Sequence, residues 1–145
     1  MAIAGFGTVG QAVARILASG IHPSLQLTHV CNRQVSRKVV DWVSPDVVWT
    51  DTFADLLDGS ADIVVELIGG VSPAREWMEQ ALAAGVAVVT ANKQVIAHDG
   101  AALARCARAA ERPLLFEAAV GGGCRSSVRS ERGLRGIVST GSRVS

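Results

Sequence analysis

The run Ile3-Ala4-Gly5-Phe6-Gly7-Thr8-Val9-Gly10 constrains this chain more than any other stretch. An apolar segment ends there in Gly-x-Gly-x-x-Gly and passes directly into Gln11-Ala12-Val13-Ala14-Arg15-Ile16-Leu17. Strand, glycine turn and helix in that order set the free N–H groups and positive dipole end of a helix beside the carboxyl end of a strand, where phosphate is favoured. Gly5 permits the tight turn, Gly7 lets a pyrophosphate approach the backbone, and Gly10 lets helix and strand pack closely. Val9, Val13, Ile16 and Leu17 share one face of the predicted helix, which makes that face the buried one. A strand-to-helix turn without any ligand can carry the same glycines, so the rest of the chain has to supply the context.

The turn signals Ser19-Gly20 and His22-Pro23 are followed by Leu25-Gln26-Leu27-Thr28-His29-Val30-Cys31, a second strand expected to lie parallel to the first. A fold of this kind that prefers NAD places an acidic residue at the end of that strand, about 20 residues beyond the glycines, to bind the ribose 2′-hydroxyl. None is present. Asn32-Arg33-Gln34-Val35-Ser36-Arg37-Lys38 stands there instead, a cationic and small polar loop suited to a 2′-phosphate, so NADP is favoured, with NAD the alternative. Arg33 is the best single candidate because its planar fork holds phosphate and stacks on adenine, and Lys38 is a second cation in the same loop. An ordinary solvated charged loop is the competing reading.

Residues 36–44 are compatible with a short helix, Val47-Val48-Trp49 with a third strand, and Thr52 to Leu57 with a helical turn. Ala61 to Ile68 is a nearly continuous β-branched run, as in a central parallel strand covered on both faces. Gly69-Gly70 ends it. Ser72-Pro73 then reads as a cap followed by proline at the first helical position, opening a helix that carries Trp77, Met78, Ala81 and Leu82 toward the sheet and stops at Gly85. A fifth strand, Val86 to Thr90, leads into Ala91-Asn92-Lys93. Ligands of open parallel sheets bind at the carboxyl ends of the strands, so Ala91, Asn92 and Lys93 are expected where a nicotinamide ring lies, and the Lys93 ammonium can stabilise a developing alkoxide. A surface lysine at a helix start is the plain alternative. Asp99 to Ala110 reads as the next helix and Leu114-Leu115-Phe116 as a sixth strand. The alternation predicts an α/β, Rossmann-type doubly wound parallel sheet.

At 145 residues the chain fits one domain with a real core, and a net charge of +1 gives no nucleic-acid footprint. No segment approaches the roughly 20 unbroken apolar residues of a membrane span. The chain opens on a strand, which leaves no room for a secretory leader, so the expected location is cytoplasmic. Cys31, Cys106 and Cys124 are odd in number and far apart, which favours free thiols over a disulfide or zinc framework. His22, His29 and His98 lack metal-like spacing and are expected on the surface or in loops.

Three segments together carry a family resemblance. Gly-Phe-Gly-Thr-Val-Gly at 5–10, Val-Val-Thr-Ala-Asn-Lys at 88–93 and Phe-Glu-Ala-Ala-Val-Gly-Gly-Gly at 116–123, with Asp62-Ile63-Val64-Val65-Glu66-Leu67-Ile68-Gly69-Gly70 between them, resemble the nucleotide-binding half of homoserine dehydrogenase. The resemblance covers residues 2–123. It implies NAD(P)-dependent interconversion of L-homoserine and L-aspartate 4-semialdehyde, on the way to threonine, methionine and isoleucine. It also implies that Phe6, Thr8 and Val9 line the pyrophosphate, that Arg33 contacts the 2′-phosphate and that Lys93 lies near nicotinamide and substrate. A sodium ion held by Glu117, Val120, Gly122 and Cys124 is a further implication, as is a homodimeric parent. Another amino-acid dehydrogenase, such as an aspartate dehydrogenase, and a stand-alone NADP(H)-binding module without catalysis are the competing readings.

Beyond Gly123 the family pattern stops. Residues 124–145 carry five arginines and no apolar period, which predicts disorder for a non-family tail and leaves the substrate and dimerisation domain missing. Moving the reading frame back one nucleotide admits codons for Leu-Pro-Ile-Val-Arg-Ala-Leu-Arg-Glu-Gly-Leu, the kind of segment the family has there. A frameshift near the codons for Gly123 and Cys124 is therefore the hypothesis, and gene codons that cannot yield this reading would refute it. The expectation for the chain as it stands is NADP(H) binding with little or no turnover, and exposed apolar surface prone to aggregation.

Overall fold

The computed structural model describes residues 1–116. Along them run β1 (Ala2–Ala4), α1 (Thr8–Ala18), β2 (His29–Cys31), β3 (Val48–Thr50), β4 (Ile63–Glu66), α2 (Ala74–Ala83), β5 (Ala87–Thr90), α3 (Lys93–Ala109) and β6 (Leu114–Phe116). The strands form one sheet in the order β3-β2-β1-β4-β5-β6, and every neighbouring pair is parallel. That order is the doubly wound one, and it puts the topological switch between β1 and β4. Ile3 of β1 stands in register with Val30 on one side and Val65 on the other.

Strand residues alternate between two cores. Ala2, Ala4, Cys31, Val64 and Val88 face α2, α3 and a 3-10 turn at Phe53–Leu57, packing on Met78, Leu82, Val95 and Leu103. Ile3, Val30 and Val65 face the other way, onto Phe6, Ala14, Val43 and Val47. Trp77 lies flat on Phe53 with centroids 4.7 Å apart, so Trp77 and Met78 do serve packing.

Several expectations require correction. The buried side of α1 is Gly10 and Ala14, with Val13 and Leu17 half-buried, whereas Val9 and Ile16 are more than half exposed. The close approach permitted by Gly10 turns the helix so that small residues, not the largest ones, meet the sheet. His29 is not a surface residue: it sits within β2 at 5% exposure. Its Nδ1 lies 3.1 Å from the Thr28 hydroxyl and 3.3 Å from the Ser60 hydroxyl, and its Nε2 lies 3.5 Å from Asp58, so the buried ring has polar partners. Asp58 is held below the usual carboxylate range, first by the Ser60 backbone N–H and hydroxyl and then by His29.

Residues 36–44 form no α-helix; a 3-10 turn spans Val35–Arg37, and the β-branched pair Val39-Val40 and Ser44-Pro45 follow it without continuing it. Pro73 is itself the cap of α2, which begins at Ala74, one residue later than expected. α3 starts at Lys93, six residues before Asp99, because the Asn92 side chain caps it by accepting the Val95 N–H at 3.2 Å. β2 is shorter than the Leu25–Cys31 run, and β3 is displaced by one residue from Val47–Trp49.

Candidate functional site

The carboxyl edge of the sheet brings the candidate residues into one region. Gly5 leaves β1 at φ +104°, a conformation open to glycine, and its N–H donates to the Cys31 carbonyl at 2.8 Å. A Cβ on Gly5 would stand 2.9 Å from the Leu67 backbone across the switch point. One on Gly10 would stand 2.1 Å from the Gly5 carbonyl oxygen, so strand and helix touch through their backbones there. Gly7, by contrast, has nothing within 4 Å of its Cβ position. It caps α1 without any side-chain hydrogen bond, and Gly7, Thr8 and Val9 are exposed. The first turn of α1 thus presents uncapped N–H donors to an open space, and these residues fit a pyrophosphate.

Phe6 is placed differently from the other loop residues. Its ring is fully buried, edge-on to Trp49 at 4.8 Å and stacked near Trp42 at 6.1 Å. Its backbone is covered as well, and its N–H donates to the Asn32 Oδ1 at 3.3 Å. Asn32, at the exit of β2, therefore ties the glycine loop to the segment carrying Arg33 and Lys38. Arg33 is exposed and Lys38 half-buried, and among the described residues neither has a carboxylate within 4.0 Å.

At the other end of the same edge, Ala91 and Lys93 are exposed beyond β5, and Lys93 is the first residue of α3. No acidic residue occupies the first turn of that helix, and a lysine there opposes the helix dipole. Beneath this turn lies a group of buried polar side chains, Glu66, Thr90 and Asn92; Asn92 was expected beside the nicotinamide but is buried, and sequence reasoning gave Glu66 and Thr90 no role. Glu66 sat unnoticed inside an apolar strand run; a lone carboxylate in such a run, facing a threonine one strand over, was the available signal.

Glu117, Val120, Gly122 and Cys124, the expected sodium ligands, lie outside the described residues, as does the 124–145 tail. Among the described residues no group of three or more His, Cys, Asp or Glu side chains is placed to hold a metal, and no helix is long and apolar enough to cross a membrane. A cleft of about 430 Å³ lies at the opposite end of the sheet, lined by Leu17, Leu27, Trp42 and Val47. It holds none of the candidate site residues, although its Trp42 stacks near the Phe6 ring.

Comparison with known proteins agrees with this geometry. The family model described as "Homoserine dehydrogenase, NAD binding domain" matches residues 5–117. A homoserine dehydrogenase of Corynebacterium glutamicum is 42% identical over 129 residues, covering 84% of this chain and 29% of its own length. One from Synechocystis is 38% identical, covering 82% of this chain and 29% of its own length. Among solved structures, Staphylococcus aureus homoserine dehydrogenase superposes with a TM-score of 0.72 at 30% identity, over 83% of this chain and 32% of that one. The enzyme from Thiobacillus denitrificans gives 0.68 at 36% identity, over 83% and 30%. The chain thus spans less than a third of the length of these relatives.

Proposed function

Because this chain belongs to the homoserine dehydrogenase family through its NAD-binding domain, we propose that it is the NADP(H)-binding part of an enzyme interconverting L-homoserine and L-aspartate 4-semialdehyde. The observation that carries this reading is the glycine loop: Gly5 and Gly10 are locked backbone to backbone while Gly7 faces open space. Bound nicotinamide supplies the hydride acceptor for an alcohol and the hydride donor for an aldehyde. The chain's own residues bind and orient. The N–H groups of Gly7, Thr8 and Val9 hold the pyrophosphate, Arg33 and Lys38 hold the 2′-phosphate, and Lys93 offers its ammonium to the substrate oxygen where negative charge develops. NADP is favoured over NAD because Asn32 and Arg33 occupy the end of β2 in place of a carboxylate. The free thiols of Cys31 and Cys106 support a reducing, cytoplasmic setting.

Hydride transfer requires the substrate carbon within about 3 to 3.5 Å of the nicotinamide, with groups holding it from the far side. The 145 residues match under a third of the relatives' length, so the chain by itself is proposed to bind NADP(H) with little or no turnover. Titration with NADPH, followed by the emission of the reduced nicotinamide, tests binding; homoserine-dependent NADPH production tests turnover. Saturable binding that Arg33→Ala weakens for NADPH but not for NADH is expected. Absence of saturable binding, or turnover at the rate of a full-length relative, would overturn the reading.

A further inference from the structure

Glu66 closes β4 with both carboxylate oxygens engaged and 1% of its surface exposed. Its Oε1 accepts the Ile68 N–H at 2.8 Å and its Oε2 accepts the Thr90 hydroxyl at 2.6 Å. The Thr90 oxygen in turn accepts the Asn92 N–H at 2.9 Å. Asn92 sends its amide N–H to the Gly70 carbonyl at 2.6 Å and uses its side-chain oxygen to cap α3. The chain of bonds runs from the exit of β4, across to the exit of β5, and back to the loop after β4. Lys93 is bonded covalently to its last member.

A buried carboxylate is costly to desolvate and persists where each oxygen meets a donor. Here one donor, the Ile68 N–H, lies just after β4 and the other, the Thr90 hydroxyl, ends β5, at the edge that flanks the proposed nicotinamide position. We propose that Glu66 is a positioning residue that sets the Thr90-Ala91-Asn92-Lys93 turn, and through it the nicotinamide end of the site, without touching the cofactor. The proposal rests on the NADP(H)-binding reading. In Glu66→Gln the bond to Ile68 survives, but the new amide is a donor facing a hydroxyl that then has no acceptor. Thr90→Val removes the hydroxyl at nearly constant volume, and Thr90→Ser restores it.

The test compares two ligands on the full chain by calorimetry. NADPH spans the whole site, whereas 2′,5′-ADP occupies only the end near Arg33. Wild type is expected to bind both. Glu66→Gln and Thr90→Val are expected to lose about tenfold in NADPH affinity and less than about twofold in 2′,5′-ADP affinity, with Thr90→Ser matching wild type. Equal losses for both ligands, or no loss for either, would overturn the positioning role, since general damage to the fold does not discriminate between them. If Glu66→Gln does not fold, the Thr90 pair decides the matter. Wild type binding neither ligand would instead remove the dinucleotide reading, and the proposal with it.

Discussion

At the β1–α1 turn the groups offered to a ligand are backbone N–H donors, made available because Gly5 and Gly10 have no side chains to keep the two elements apart. At the ends of β4 and β5 the edge is shaped by the buried side chains of Glu66, Thr90 and Asn92, which reach the Gly69-Gly70 turn, where both glycines lie at positive φ. The first region is fixed by what is missing from its residues, and at Gly5 and Gly10 it has no room for an added atom. The second is fixed by matched donors and acceptors. A phosphate needs many convergent N–H groups, which backbone supplies. A single ammonium needs accurate aim, which a side-chain network beneath it supplies.

The sharpest way to break the comparison is Gly10→Ala. The new methyl would fall 2.1 Å from a backbone oxygen, so strand and helix have to separate. A loss of more than about 3 kcal/mol is expected, seen as failure to accumulate folded protein or as a large drop in the denaturation midpoint. A stable Gly10→Ala chain would mean that backbone contact does not define the first region.

Next in size is an alkaline effect at Cys31, whose carbonyl receives the Gly5 N–H. Burial, reinforced by Asp51 and Asp55, pushes its thiol up from 9.0 to about 11. The folded state holds the neutral thiol, so its contribution is intact below about pH 9 and is lost as pH rises through 9 to 11; the linkage amounts to roughly 2 to 3 kcal/mol. The chain has no tyrosine, and its lysines are Lys38 and Lys93, so few other groups titrate in that window. Urea denaturation at pH 8 and pH 10.5 is expected to give a larger stability loss for wild type than for Cys31→Ala; equal losses would place the titration elsewhere.

The two regions also differ in how far the sequence revealed them. Glycines at 5, 7 and 10 are legible because absence of a side chain has one local meaning at a strand-to-helix turn. The strand alternation and the sheet order follow from β-branched runs and right-handed crossovers. Glu66 and Thr90 were opaque because their meaning depends on β4 lying beside β5, a pairing that joins residues 24 apart. Val9 and Ile16 misled for a related reason: periodicity marks an apolar stripe, but the depth of α1 against the sheet is set by Gly10. His29 turned out to be buried within β2, where Asp58 and Ser60, distant in the sequence and in a single loop, meet its ring. The early start of α3 was readable in principle from Asn92 as a cap residue.

Gly7→Ala separates function from stability within the first region. Gly7 has φ −81° and ψ −159°, which any residue adopts, and its Cβ position is empty. Stability is expected to stay within about 0.5 kcal/mol of wild type. NADPH affinity is expected to fall at least about tenfold, because the methyl occupies the approach of the pyrophosphate. Thermal melting and a fluorescence titration on the same sample check both halves. Unchanged affinity would move the phosphate away from this turn.

The smallest expected effect lies at Asn32, where the two kinds of construction meet: a side chain there holds the backbone loop. Asn32→Ala leaves the buried Phe6 N–H without its 3.3 Å acceptor, at a cost of about 1 kcal/mol. Asn32→Asp keeps an acceptor in place, so its melting temperature should return toward wild type. It also sets a carboxylate at the end of β2, beside the proposed 2′-phosphate, where repulsion falls on NADPH and not on NADH. The ratio of NADPH to NADH affinity is therefore expected to drop about threefold to fivefold in Asn32→Asp, while Asn32→Ala changes both affinities together. A ratio that is the same in the two variants would detach the end of β2 from cofactor choice and leave Asn32 as a brace for the glycine loop alone.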